Sequence, residues 1–119
     1  MKTMLSDQFE ERFIDFGISV IELVQQHKTE LPFSVADQVI RSATSIGANY
    51  AEAQNASSKA DFKNKIFIAK KEAGETRYWL RLIARIVGDT DIAALSDEVQ
   101  QIILILQKIV TTLREKSAQ

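Results

Sequence analysis

Apolar residues recur along most of the chain at spacings of three and four, the pattern of amphipathic helices rather than of strands. Phe9, Phe13, Phe16, Val20 and Leu23 form one stripe, and Ile14, Ile18 and Ile21 form a second beside it. This spacing predicts a first helix from about Ser6 to His27. Ser6 is its expected N-cap, and Asp7, Glu10 and Glu11 favour the positive end of the helix dipole. An apolar face this wide predicts contact with more than one neighbour. Thr29 to Phe33 reads as a connection closed by Pro32, the one proline of the chain. Ser34, with Asp37 three residues on, has the form of an acidic capping box and opens a second helix, expected over about Val35 to Gln54. Ser42, Ala43, Ser45, Gly47, Ala48 and Ala51 make that helix rich in small residues, which let another helix come close.

After the turn Asn55-Ala56-Ser57, Ser58 and Asp61 repeat the cap arrangement and open a third helix, about Lys59 to Val87. Its expected core stripe is Phe62, Ile66, Ala69, Ala73, Leu80, Ile83 and Val87. Gly88-Asp89-Thr90-Asp91 ends it, with glycine as the C-terminal cap. A fourth helix, about Ile92 to Glu115, carries Leu95, Val99, Ile102, Ile103, Leu106, Ile109, Val110 and Leu113, and Ser117-Ala118-Gln119 is expected to fray. Strand alternation, repeats and low-complexity linkers are absent from the pattern. Four helices joined by short loops run antiparallel to their neighbours in sequence. The expected fold is therefore all-α, an antiparallel up-down-up-down four-helix bundle with residues 1–119 as one domain.

Composition narrows the function classes. Hydrophobic content of 45% and charged content of 26% belong to a soluble globular protein. Without cysteine there is no disulfide, thiolate metal site or thiol nucleophile, which fits a cytoplasmic location. The longest apolar run, Ile102 to Leu106, is far too short for a membrane span, and acids stand where a signal peptide would be apolar. The net charge of -1 gives no long-range pull on nucleic acid, so any attraction has to come from a local patch. Such a patch exists. Residues 58–88 carry eight basic and three acidic side chains, net +5, while each of the flanking segments is net acidic.

Projected at about 100° per residue, Lys59, Lys63, Lys70, Arg77 and Arg81 cluster on one face of the third helix, with Arg85 close by. A row of cations on a helix matches a phosphate backbone, and Phe67 and Tyr78 beside it would offer stacking faces. The plainer reading is a solvated charged face. Ile68, Trp79 and Ile86 flank the core on the other side. Together with Phe67 and Tyr78 they are more apolar surface than one core needs, which marks a subunit interface. On the second helix Arg41, Ser45, Asn49 and Glu52 form a narrow polar stripe, read as a hydrogen-bonded seam before a ligand site. His27 stands at a helix end and is expected to be solvated. A di-iron bundle needs Glu-x-x-His, and Val24 occupies the position three before it. Glu72 and Glu75 with Glu52 would suit magnesium, but carboxylates flanked by Lys65, Lys71 and Arg77 are more simply ion-paired. The sequence therefore assigns no catalytic residue, no metal and no cofactor, and no glycine-rich phosphate loop is present.

The segments SATSIGANYAEA, SSKADF, KKEAGET and YWLRL resemble the bacterial four-helix-bundle family that includes proteins encoded in intervening sequences of 23S ribosomal RNA genes. The resemblance spans about Phe9 to Leu113, and Ser45, Ile46, Asn49 and Glu52 carry its most specific pattern. Many relatives have glycine after that glutamate. Ala53 here, with Gly-Ala-Asn-Tyr and Tyr-Trp-Leu, marks a subgroup. The resemblance implies a homopentamer of bundles, similar to the basic pentameric accessory proteins of diversity-generating retroelements that bind a reverse transcriptase and nucleic acid. The pI of about 5.8 departs from those basic proteins. The reading is thus a non-enzymatic homo-oligomer that binds RNA, or a nucleic-acid-processing protein, through the basic face of the third helix. The alternatives are a protein-interaction scaffold without nucleic-acid binding and, behind it, an acidic-cluster hydrolase.

Overall fold

The computed structural model describes residues 3–88 and 91–118, with Ser117 and Ala118 described through their backbone. Four helices account for nearly all of them: α1 (Met4–Gln26), α2 (Phe33–Gln54), α3 (Lys59–Val87) and α4 (Asp91–Ala118). Extents of 51 × 24 × 22 Å mean that all four run along one long axis.

Cap chemistry explains the boundaries, and corrects several of those expected. α1 begins two residues before Ser6. Thr3 is the N-cap: its hydroxyl accepts from the Ser6 amide at 3.0 Å, while Ser6 Oγ accepts from the Thr3 amide at 2.7 Å. Ser6 is therefore the far partner of a capping box rather than the cap. α2 starts at Phe33 on Pro32, whose carbonyl accepts from the amides of Val35 and Ala36. Proline arrives with its φ already fixed and has no amide to satisfy, so Ser34 is absorbed into the first turn and does not cap. α3 has the bounds that Ser58 and Gly88 predict. Ser58 Oγ accepts from the Asp61 amide at 3.0 Å, and Gly88 closes the helix at φ 64°, a left-handed conformation natural to glycine. α4 runs on through Ser117 and Ala118, where fraying was expected. Asp89, Thr90 and Gln119 lie outside the described residues.

Paired residues give the direction of each helix. Arg41 and Ser42 in the middle of α2 meet Glu72, Glu75 and Thr76 of α3, whereas Glu52 near the end of α2 meets Lys65 nearer the start of α3. Phe67 and Arg77 of α3 meet Arg114 and Gln100 of α4 in the same sense. Between α1 and α2 the small residues act as expected. A Cβ on Gly17 would lie 3.5 Å from Thr44 Cγ2, and one on Gly47 3.4 Å from Phe13 Cβ, so both glycines mark close approach of the two backbones. Every neighbouring pair is antiparallel, α1 and α4 close the ring, and the diagonal pairs make no close backbone contact among the described residues.

The α1–α4 contact is the thinnest of the four. Across it Arg12 places Nε and Nη2 on the two oxygens of Glu98, each at 2.8 Å. This fork and the charge of Glu98 raise the Arg12 pKa further, against the opposing effect of burial.

One core runs through the bundle, built on Phe13, Val20, Ile46, Ile66, Leu80, Ile83, Ile102 and Leu106 with their neighbours. Tyr50 joins it, its ring edge-to-face with Phe13 at 5.0 Å. Burial, with the nearby charges of Glu10 and Asp7, pushes its phenol up to about 12. The second stripe of α1 departs from expectation. Ile14 and Ile18 remain 43% and 48% exposed, because α1 meets α2 through Gly17 and Phe13 instead.

Candidate nucleic-acid interface

α3 separates its charges by side. Towards α2, Lys65, Glu72 and Glu75 are each ion-paired. Arg41 reaches across to Glu72 at 2.8 Å and to Glu75, and its Nε donates to Gln38 Oε1 at 3.3 Å. Ser45 Oγ donates to the Arg41 carbonyl at 2.7 Å, and Asn49 Nδ2 donates to the Ser45 carbonyl at 2.8 Å. Glu52 pairs with Lys65 at 2.9 Å, and this hydrogen bond raises the Lys65 pKa. The stripe Arg41, Ser45, Asn49 and Glu52 is thus tied through backbone carbonyls one turn back, and its two charged ends bridge to α3.

The carboxylates do not converge as a metal site. Glu72 and Glu75 are both taken by Arg41, and Glu52 by Lys65. Among the described residues no group of three or more acidic, histidine or cysteine side chains is placed to hold a metal ion. Of the partners the sequence suggested, Lys65 pairs with Glu52 as expected, Lys71 forms no ion pair among the described residues, and Arg77 turns away to Gln100, so that Arg41 takes Glu72 and Glu75 instead.

Towards α4 the cations stand without carboxylates. Lys59, Lys63, Lys70, Arg77, Arg81 and Arg85 follow one another over about 39 Å of helix at about 1.5 Å per residue. Lys59, Arg77, Arg81 and Arg85 are exposed, Lys63 and Lys70 half-buried. Arg77 Nη1 donates to the neutral amide oxygen of Gln100 at 2.8 Å. Among the described residues none of the six forms an ion pair, in contrast with Arg12, Arg41 and Lys65.

Phe67 is half-buried against the core rather than clear of it. Lys63 Nζ lies 6.0 Å and Arg114 Cζ 5.7 Å from its ring centroid, so cations rather than solvent meet this ring. Tyr78 is 57% exposed and meets Trp79 edge-to-face at 5.2 Å. Trp79 and Ile68 are half-buried, and Ile86 is 45% exposed. The five expected interface residues therefore divide between two flanks of α3. The indole N–H of Trp79 is buried with no acceptor among the described residues.

Two cations of α4 escaped the reading by helix faces: Arg114, over Phe67, and Lys116, which lines a pocket with Lys59 and Lys63. The signal was the antiparallel order itself, which sets the end of α4 beside the start of α3. His27 is likewise not solvated. Its side chain is 14% exposed, and Nδ1 lies 2.8 Å from Glu30 Oε1.

Four antiparallel helices with a matched polar seam on one side of α3 and an unmatched cation row on the other define a helical bundle with a basic surface, and no helix among the described residues is long and apolar enough to cross a membrane. The chain belongs to the 23S rRNA-intervening sequence protein family, whose model matches residues 8–108. Similar solved structures include the crystal structure of a protein of unknown function from the S23 ribosomal protein family of Bacteroides thetaiotaomicron. It is 36% identical, with a TM-score of 0.79 over 85% of this chain and 96% of that one. No curated protein matches the chain.

Proposed function

We propose that this protein is a non-enzymatic, cytoplasmic homo-oligomer that binds RNA along the α4 side of α3. The observation that carries this reading is the unequal treatment of cations. Those facing α2 are consumed by carboxylates, while the six of the row, joined by Arg114, face no carboxylate partner. A nearly neutral chain that gathers six unpaired cations along one helix face has the footprint of a phosphate-binding surface. Phe67, held under two cations, acts as a support for them, and Tyr78 is the ring left open to stack on a base.

Exposed Ile14 and Ile18 on α1 and exposed Ile86 on α3 support assembly, because a second surface would cover them. The number five for the ring is carried over from the family resemblance. An oligomer repeats the row and raises its effective strength through multivalency.

The test is an anisotropy titration with single-stranded RNA at two salt concentrations, with the mass measured by light scattering. With about five phosphates engaged, affinity falls about a hundredfold between about 50 and about 200 mM salt. An oligomer indifferent to RNA at low salt overturns the RNA reading and leaves the scaffold. A monomer overturns the assembly.

A further inference from the structure

Where α3 begins, its cation row runs into a pocket of about 780 Å³ between the end of α2, the start of α3 and the end of α4. That volume lies within the range of about 300–1,000 Å³ that encloses small ligands. Ala56, Phe62 and Leu113 give it an apolar lining, and Lys59, Lys63 and Lys116 supply three cations. Among the described residues no acidic side chain lines it. Asp61, in the same first turn, faces the opposite side, where its carboxylate accepts from the Ser57 amide at 3.3 Å and lines a separate cleft with Glu52 and Lys65. An apolar interior with a purely cationic rim suits a flat, poorly hydrated body that carries a concentrated negative charge.

We propose that this pocket receives the terminal nucleotide of an RNA strand, its base against Phe62 and Leu113 and its terminal phosphate among Lys59, Lys63 and Lys116. The inference rests on the RNA reading of the α3 row and extends it from backbone contact to recognition of a free end. Continuity selects this occupant. Lys59 and Lys63 belong both to the pocket and to the row, so an anion seated there continues along Lys70 and Arg77. A single-headed amphiphile such as a fatty acid would fill the pocket and leave the row unused. A terminal phosphate carries more charge than an internal one, which matches three lysines meeting at one point. The lining offers few hydrogen-bonding groups that could read a base edge, so recognition is of the end and not of its sequence.

The experiment compares one RNA sequence as a closed circle and as linear strands bearing a 5′-phosphate, a 3′-phosphate or neither, titrated against the full chain at low salt. One of the phosphorylated linear strands is expected to bind about tenfold more tightly than the circle, as one added base contact allows, and which one gives the polarity. Ala56→Phe and Ala60→Phe each fill the pocket without altering charge, and Ala60 is exposed, so its variant leaves the core intact. Both are expected to abolish the preference while leaving affinity for the circle unchanged, with helicity and unfolding midpoint measured alongside. Equal affinity for circle and phosphorylated strands overturns the pocket assignment and leaves the row standing. A preference that survives in a folded Ala60→Phe variant also overturns it. If neither form binds, the row reading falls and the pocket assignment with it.

Discussion

The hydroxyls of Ser42 and Thr76 lie 2.8 Å apart, both fully buried, and join α2 to α3 inside the core. Each has a carbonyl on its own helix as a further acceptor, Val39 O at 3.3 Å and Glu72 O at 2.8 Å, so neither is left unsatisfied. A pair of this kind fixes how one helix slides along the other, because a shift by one residue separates the hydroxyls. Thr76→Val keeps the shape and leaves Ser42 with its long bond to Val39. It is expected to lower stability by about 1–2 kcal/mol. Adding Ser42→Ala should then cost little more, and denaturant unfolding of the two single variants and the double variant measures the coupling.

Arg41 is the next pin on the same seam. Its removal leaves Glu72, only 12% exposed, without its partner. Arg41→Ala is expected to destabilise by about 1–3 kcal/mol, because a carboxylate that is largely withdrawn from water loses its compensating charge. Chemical unfolding measures the loss, and a change within about 0.3 kcal/mol would show that the seam is dispensable.

Gly74 lies in mid-α3 and is exposed, and a Cβ built there meets nothing within 4 Å. Nothing inside the chain requires glycine. Gly74→Ala should therefore stabilise the protein by about 0.5–1 kcal/mol through helix propensity. If RNA approaches the helix backbone closely between Lys70 and Arg77, the same variant binds more weakly although it is more stable, and the two readouts separate the effects.

Tyr50 predicts behaviour in alkali. Its phenol titrates near 12 when folded and near 10 when unfolded, so only the unfolded chain gains by losing the proton between those values. Its contribution is complete below about pH 10. Stability then declines by up to about 1.4 kcal/mol per pH unit as pH rises towards about 12. Tyr50→Phe, compared with the parent over that window, should remove this component of the slope.

Reversing Lys63, Lys70 and Arg81 to glutamate should abolish RNA binding at low salt while the unfolding midpoint moves little, since none of the three is ion-paired in the chain. Ile14→Ser with Ile18→Ser should likewise leave the subunit folded, because both side chains are already about half exposed. Light scattering then reports whether they hold subunits together.

The faces of the first, third and fourth helices were legible because burial and the helical period coincide: Phe13, Ile66, Leu80 and Ile102 lie where spacing alone puts them. α3 was legible at both ends because a serine cap and a left-handed glycine have distinct chemical signatures. Ser6 and Ser34 misled for a shared reason. Each has the composition of a cap, but Thr3 and Pro32 stand upstream and start the helix sooner. What lay beyond reach was whatever depends on two helices at once. The bridge from Arg41 to Glu72, the placing of Arg114 over Phe67 and the burial of Thr76 follow from interhelical register, which loops and packing set together. The pocket between the end of α2, the start of α3 and the end of α4 is of the same kind, assembled from three chain segments that no single helical projection contains.

The slender closure between α1 and α4 gives the bundle an order of opening. α1 buries Phe13, Phe16, Val20 and Leu23 in the core, its backbone meets that of α2 at Gly17 and Gly47, and towards α4 its contact is thin and includes the fork between Arg12 and Glu98. α1 packs least closely against the other helices, so it is the helix expected to open first while α2, α3 and α4 keep their mutual contacts. Amide hydrogens of α1 should therefore exchange as a block ahead of those of α3, and Glu98→Gln should quicken that block selectively. A helix that can leave its own bundle as a unit can also be traded for the same helix of a neighbouring copy, so the weakest closure of the fold is also the place where two chains would exchange parts.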